Sequence, residues 1–192
     1  MKQMISKIKS QSFIFVILSF LMPCFILTLA YAVFGMYPFG DKSVLIMDMS
    51  NQYVEFFAGL RNIVFGGQSL LYSWNKSFGG NFIGLFAYYL SSPLSFITLL
   101  FPARNLQEAL LVVNILKIGL AGLTFSLFLK HVFKKKDISI VIFSLLYALM
   151  SYNIVYSMCL MWLDGVIWLP VILIGVEKII KDGRFTLFTV SL

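Results

Sequence analysis

The chain has 192 residues, of which 60% are hydrophobic and only 12% charged. Those proportions exclude a soluble globular domain, and apolar runs long enough to cross a bilayer, roughly twenty residues each, recur along it. The formal charge of +7 comes from basic clusters between apolar segments, which points to topology and lipid head groups and away from nucleic acid.

The first element follows a basic flank, "MKQMISKIKSQS". The apolar run after it is too long for a signal-peptide core and lacks a small-x-small cleavage site. Residues 12–35 are therefore predicted to be a retained signal-anchor helix, with Lys2, Lys7 and Lys9 holding its start in the cytoplasm. Residues 36–77 carry Lys42, Arg61 and Lys76 against Asp41, Asp48 and Glu55, and this lack of positive excess marks an outer loop. Within that loop, Asp48, Gln52 and Glu55 recur at i, i+4, i+7, and Tyr53, Phe56, Phe57 and Leu60 form an apolar stripe. The pattern predicts an interfacial helix with aromatics toward lipid and carboxylates toward water, ended by Gly66-Gly67.

Residues 78–102 decide the topology. A full crossing there would send the next helix outward and leave Lys130, Lys134, Lys135 and Lys136 outside, against the strongest charge signal in the chain. Gly79-Gly80, Gly84 and Ser91-Ser92-Pro93 interrupt a straight helix, so the segment is predicted to be re-entrant or juxtamembrane. Spans follow at 106–129, 138–157 and 163–180. Residues 185–192 open another apolar segment, so the chain is expected to be the N-terminal piece of a longer protein. The predicted fold is all-α: one polytopic transmembrane helix bundle over residues 1–192, with juxtamembrane or re-entrant helices in its first outer loop. Cys24 and Cys159 lie in apolar runs without pairing or ligand spacing, so no disulfide framework, metal site or cofactor is expected.

The ordered series "MDMSNQYVEFFAGLRNIVFGGQSLLYSWNKSFGGNFIGLFAYYLSSPLSFITLLFP", "LKIGLAGLTFSLFL" and "WLDGVIWLPVILIGVEKII" resembles the bacterial YfhO family over nearly the whole chain. That family is similar in turn to the GT-C glycosyltransferases, multi-helix membrane enzymes that use polyprenyl-phosphate sugars. The resemblance implies a GT-C-like fold in a bacterial cell membrane. It also implies transfer of a sugar from a polyprenyl phosphate to teichoic or lipoteichoic acid outside the cell, with an acidic residue of the first outer loop in the catalytic position. Here that residue is Asp48.

Transfer of a sugar to a hydroxyl requires a base for the nucleophile while a phosphate departs, and a carboxylate in hydrogen-bond reach supplies one. Asp48, just beyond the first span, is the catalytic candidate; the competing reading is a solvated helix cap. Gln52, one turn on, is a positioning candidate for sugar or acceptor. Glu55 is either a second acid or a solvated face, and the two acids lack the further oxygen ligands that a divalent cation needs. Arg61 has the fork for a lipid phosphate, but on an ideal helix it faces away from Asp48, which favours anchoring to head groups. Lys117, in mid-span, requires a partner inside the bundle; Glu108 is more than two turns away, which leaves a partner beyond this chain. Asp164, in "MWLDGVIW", is either a polar group of the sugar pocket or the cap of the helix that follows. A lipid or solute transporter, with Lys117 and the broken 78–102 segment lining a path, is the rival from another class, and a non-catalytic scaffold is the third.

Overall fold

In the computed structural model of the protein, residues 2–75, 78–134 and 137–192 are described, residues 2–12 as backbone alone. Lys76, Lys135 and Lys136, on which part of the charge argument rests, lie outside the described residues. An apolar chain in a bilayer satisfies its own backbone, and helix is how it does so. In chain order the helices are α1 Lys2–Val33, α2 Val54–Gly66, α3 Phe82–Leu85, α4 Leu106–Val132, α5 Ser139–Ala148, α6 Ser151–Val155, α7 Leu160–Asp182 and α8 Thr186–Ser191. Among the described residues, the sheet content is a two-residue antiparallel ladder, β1 Tyr72–Ser73 with β2 Gly80–Asn81. The fold is all-α, as expected.

Among the described residues, two helical stretches, Phe13–Val33 and Ala103–Val132, are long and apolar enough to cross a membrane, and up to four segments are if each of two bent pairs counts as one. One of the bent pairs falls where the sequence carries its breaks, and the other does not. Phe82–Leu90 and Pro93–Leu100 meet at 101°, so residues 78–102 do not form a straight helix. Ser139–Ala148 and Ser151–Met158 meet at 42°, within the segment expected as one span over 138–157. The fourth expected span, 163–180, lies inside α7.

Two compact units divide the chain. The first comprises Met1–Ala30, Ile115–Tyr156 and Trp162–Leu192. Its helices contain two prolines, Pro23 in α1 and Pro170 in α7, and each deprives the carbonyl four residues earlier of its intrahelical donor. For Pro170 that carbonyl is Val166, and the Tyr147 hydroxyl of α5 donates to it at 2.8 Å. For Pro23 it is Ser19, and Gly122 of α4 lies so close that a Cβ there would sit 2.3 Å from the Ser19 oxygen. One turn away, a Cβ on Gly119 would meet Cys24 Sγ at 2.4 Å. These glycines let two membrane helices approach at backbone distance. The bend after α5 is held by Asn153, whose Nδ2 donates to the Tyr147 and Ala148 carbonyls, both at 3.0 Å; these belong to the orphan acceptors of a helix end.

The second unit comprises Tyr31–Asn114 and Ser157–Met161. A π-helical turn, Met49–Tyr53, runs directly into α2, which stops at Gly67 in the left-handed conformation (φ +67°). Met49, Tyr53, Phe57 and Leu60 are buried and pack with Phe82, Leu85, Leu90, Leu110 and Val113. The apolar stripe of the predicted interfacial helix thus faces protein rather than lipid. Segment 82–100 folds back over it, and Gly59 makes room, since a Cβ there would touch the Phe82 ring at 3.0 Å. Arg61 Nη1 donates to the carbonyls of Leu99 and Phe101 at the end of the Pro93–Leu100 3₁₀ helix, and its guanidinium lies 4.8 Å from the centre of the Phe65 ring.

Candidate functional site

Asp48 stands at the head of the π-helical turn in helical conformation (φ −61°, ψ −29°), and its side chain makes no cap hydrogen bond. The helix-cap alternative is therefore not what its carboxylate does. Oδ2 instead accepts from Cys159 Sγ at 3.6 Å, from a residue 111 positions later that sits just before α7. Among the described residues, Cys159 is the one hydrogen-bond partner of this half-buried carboxylate. A thiol is a weak donor, so the carboxylate keeps most of its acceptor capacity.

The neighbours of Asp48 are neutral and polar. Gln52 Oε1 accepts from the Tyr89 hydroxyl at 3.0 Å. The Tyr89 ring stands edge-on to Tyr53, centroids 5.5 Å apart, and Tyr53 is wholly buried beneath. Burial is the main force that raises the Tyr53 hydroxyl above the usual phenol range. The Met161 backbone amide pulls the other way, and Cys159, Tyr89 and Asp48 add to the rise. Burial likewise raises the Cys159 thiol, with a further push from the hydrogen bond to Asp48 and its charge. Protonated groups thus surround one carboxylate, an arrangement suited to receiving a proton from a ligand hydroxyl.

The other predicted site residues divide between the units. Glu55 is exposed in the first turn of α2, three residues after Gln52 of the π-helical turn, and lines a hollow with Asn62 and Asn81. Arg61, expected at a phosphate or head group, has one edge of its guanidinium held by backbone carbonyls. In the first unit, Lys117 is not left for a partner beyond this chain: its Nζ lies 2.6 Å from Asp164 Oδ2, with the side chains 2% and 25% exposed. Asp164 sits inside α7, past its first turn, and so does not cap that helix. The apolar run before it simply continues the helix backward.

Cys159 and Tyr89 escaped the sequence reading. "SMCLMW" gives no polar cue, and a contact across 111 residues has no local signature. Tyr88-Tyr89 beside the Ser91-Ser92-Pro93 break was the available signal for the second. Among the described residues, no three His, Cys, Asp or Glu side chains come together to hold a metal ion.

No curated protein and no solved structure matches the chain. The family model described as "Bacterial membrane protein YfhO" matches residues 19–192, and the chain belongs to that family.

Proposed function

We propose that the protein is a membrane glycosyltransferase that moves a sugar from a polyprenyl-phosphate donor to a hydroxyl of an extracellular cell-wall polymer, a teichoic or lipoteichoic acid. The observation that carries this reading is the half-buried Asp48 carboxylate, which accepts from the Cys159 thiol and is bordered by the Gln52–Tyr89 pair. In the step it would serve, the acceptor hydroxyl gives its proton to Asp48 as its oxygen attacks the anomeric carbon. The bond from that carbon to the phosphate oxygen breaks, and the phosphate leaves with the electron pair. A base so placed contributes about 10²–10⁴-fold. Gln52 would orient the sugar, the N-terminus would lie in the cytoplasm, and residues 36–77 would form an outer loop.

The test is sugar content of purified teichoic acids from cells with full-length protein, with Asp48→Asn, and with the gene deleted. Lost decoration in both variants, with Asp48→Asn protein at wild-type level, supports the reading. Decoration that survives Asp48→Asn removes Asp48 from the mechanism, and decoration that survives deletion removes the activity. One observation favours the transporter instead: Lys117 and Asp164 place an ion pair among apolar helices, where charge commonly marks a translocation path.

A further inference from the structure

Two adjoining hollows in the second unit share Phe56, Asn81 and Leu85 and make one groove, about 130 Å³ in one part and about 570 Å³ in the other. Gln52, Glu55, Phe56 and Asn62 supply one wall from a single helical face, and the stretch from Asn81 to Tyr89 supplies the other. From Gln52 to Asn62 the helix rises about 15 Å, more than a single sugar ring spans.

Four amides, Gln52, Asn62, Asn75 and Asn81, line this groove beside Glu55 and the hydroxyls of Ser73, Tyr88 and Tyr89. Asn81 Oδ1 is taken by the Gly84 amide and Gln52 Oε1 by Tyr89, and the Nδ2 and Nε2 groups of these two lining residues are further donors. Asn62 offers both a donor and an acceptor, and Glu55 two acceptor oxygens. Among the described residues that line it, Glu55 is the one charged side chain, and no Lys or Arg is present. The Glu55 carboxylate on the wall repels a phosphate, whereas vicinal hydroxyls, each donor and acceptor, match amides and a carboxylate. Tyr88, 62% exposed, offers an open ring to the C–H face of a sugar.

We infer that this groove is a subsite for uncharged pyranose rings, a neutral monosaccharide or short oligosaccharide, and that it does not seat the phosphate of a polymer repeat. Assigning those rings to the transferred sugar or its glycan acceptor rests on the transferase reading; the chemistry of the groove does not. Asn62 and Glu55 set the specificity, and both are exposed side chains whose replacement leaves the core intact.

The experiment uses the full-length protein in nanodiscs and saturation-transfer NMR, with methyl hexopyranosides (gluco, galacto and N-acetylated) against glycerol 3-phosphate. At least one pyranoside is expected to receive saturation and glycerol phosphate none. The pyranoside signal should fall about fivefold in Asn62→Leu, the loss expected for one hydrogen-bonding amide. Glu55→Lys should weaken the pyranoside and admit glycerol phosphate. Glycerol phosphate bound by the wild type, a pyranoside signal indifferent to Asn62→Leu, or no signal from any pyranoside overturns the inference. Asp48→Asn separates the two claims. If the protein transfers no sugar while Asn62-dependent binding stands, the transferase reading falls and the groove stands; if transfer depends on Asp48 while Asn62 has no effect on binding, the groove falls alone.

Discussion

Replacing Lys117 by Met tests whether its ion pair holds the first unit together. Lys117 is buried to 2% exposure and its Nζ is 2.6 Å from Asp164. Removing one member of a buried pair costs about 3–5 kcal/mol, because a charge stays behind in a medium that solvates it poorly. Asp164 remains a quarter exposed, so water reaches it and the cost of Lys117→Met falls at the lower end, about 3 kcal/mol. Asp164→Leu strands the more deeply buried charge and belongs at the upper end, about 5 kcal/mol. The double variant Lys117→Met/Asp164→Leu strands neither and is expected within about 1 kcal/mol of wild type. Unfolding by sodium dodecyl sulfate in mixed micelles, followed by circular dichroism, yields the four free energies of the cycle. Single variants within about 1 kcal/mol of wild type, or a double variant as unstable as the worse single, would refute this account of the pair. A stable double variant that also retains the protein's activity would make the pair a packing device and remove both residues from the substrate path.

The close approach of α4 to α1 leaves no room for a methyl group at Gly122, so Gly122→Ala should destabilise by about 1–3 kcal/mol. Gly165→Ala in α7 meets nothing within 4 Å and should be neutral or mildly stabilising in the same dodecyl sulfate unfolding assay. Tyr147→Phe removes the donor to the Val166 carbonyl and should cost about 1–3 kcal/mol, with faster hydrogen exchange around Pro170. The raised Cys159 thiol predicts slow alkylation at pH 8 in a Cys24→Ser background, faster as pH rises and the thiolate forms. Asp48→Asn removes the charge and the charged acceptor that help to raise it, so the rate at pH 8 should increase. A rate unaffected by Asp48→Asn would mean that the two side chains do not meet.

The helices were legible because membrane segments carry their signal locally. The segment expected at 106–129 is α4, Leu106–Val132, and the predicted break over 78–102 is a 101° bend across Ser91-Ser92. What faces each helix was not legible. The stripe of Tyr53, Phe57 and Leu60 has the same periodicity whether it meets lipid or protein, and only the fold-back of 82–100 decides between them. "LDG" before an apolar run looks alike as a cap or as residues inside a helix, so Asp164 was ambiguous until α7 was seen to begin at Leu160. Its pairing with Lys117, and that of Asp48 with Cys159, join positions 47 and 111 residues apart. Such contacts follow from packing, which one sequence does not record.

The two proline-freed carbonyls have opposite relations to the order of synthesis. Val166 in α7 is satisfied by Tyr147, which has already entered the membrane when Pro170 arrives. The Ser19 carbonyl in α1 is instead covered by the close approach of Gly122, which leaves the ribosome about a hundred residues later, several seconds at usual elongation rates. During that interval the first helix carries a polar defect toward lipid, where an unsatisfied carbonyl is costly. Insertion and assembly are therefore not separable for α1: it becomes a finished membrane helix only when α4 docks, and lesions at Gly122 should appear first as degraded nascent protein rather than as an inactive mature one.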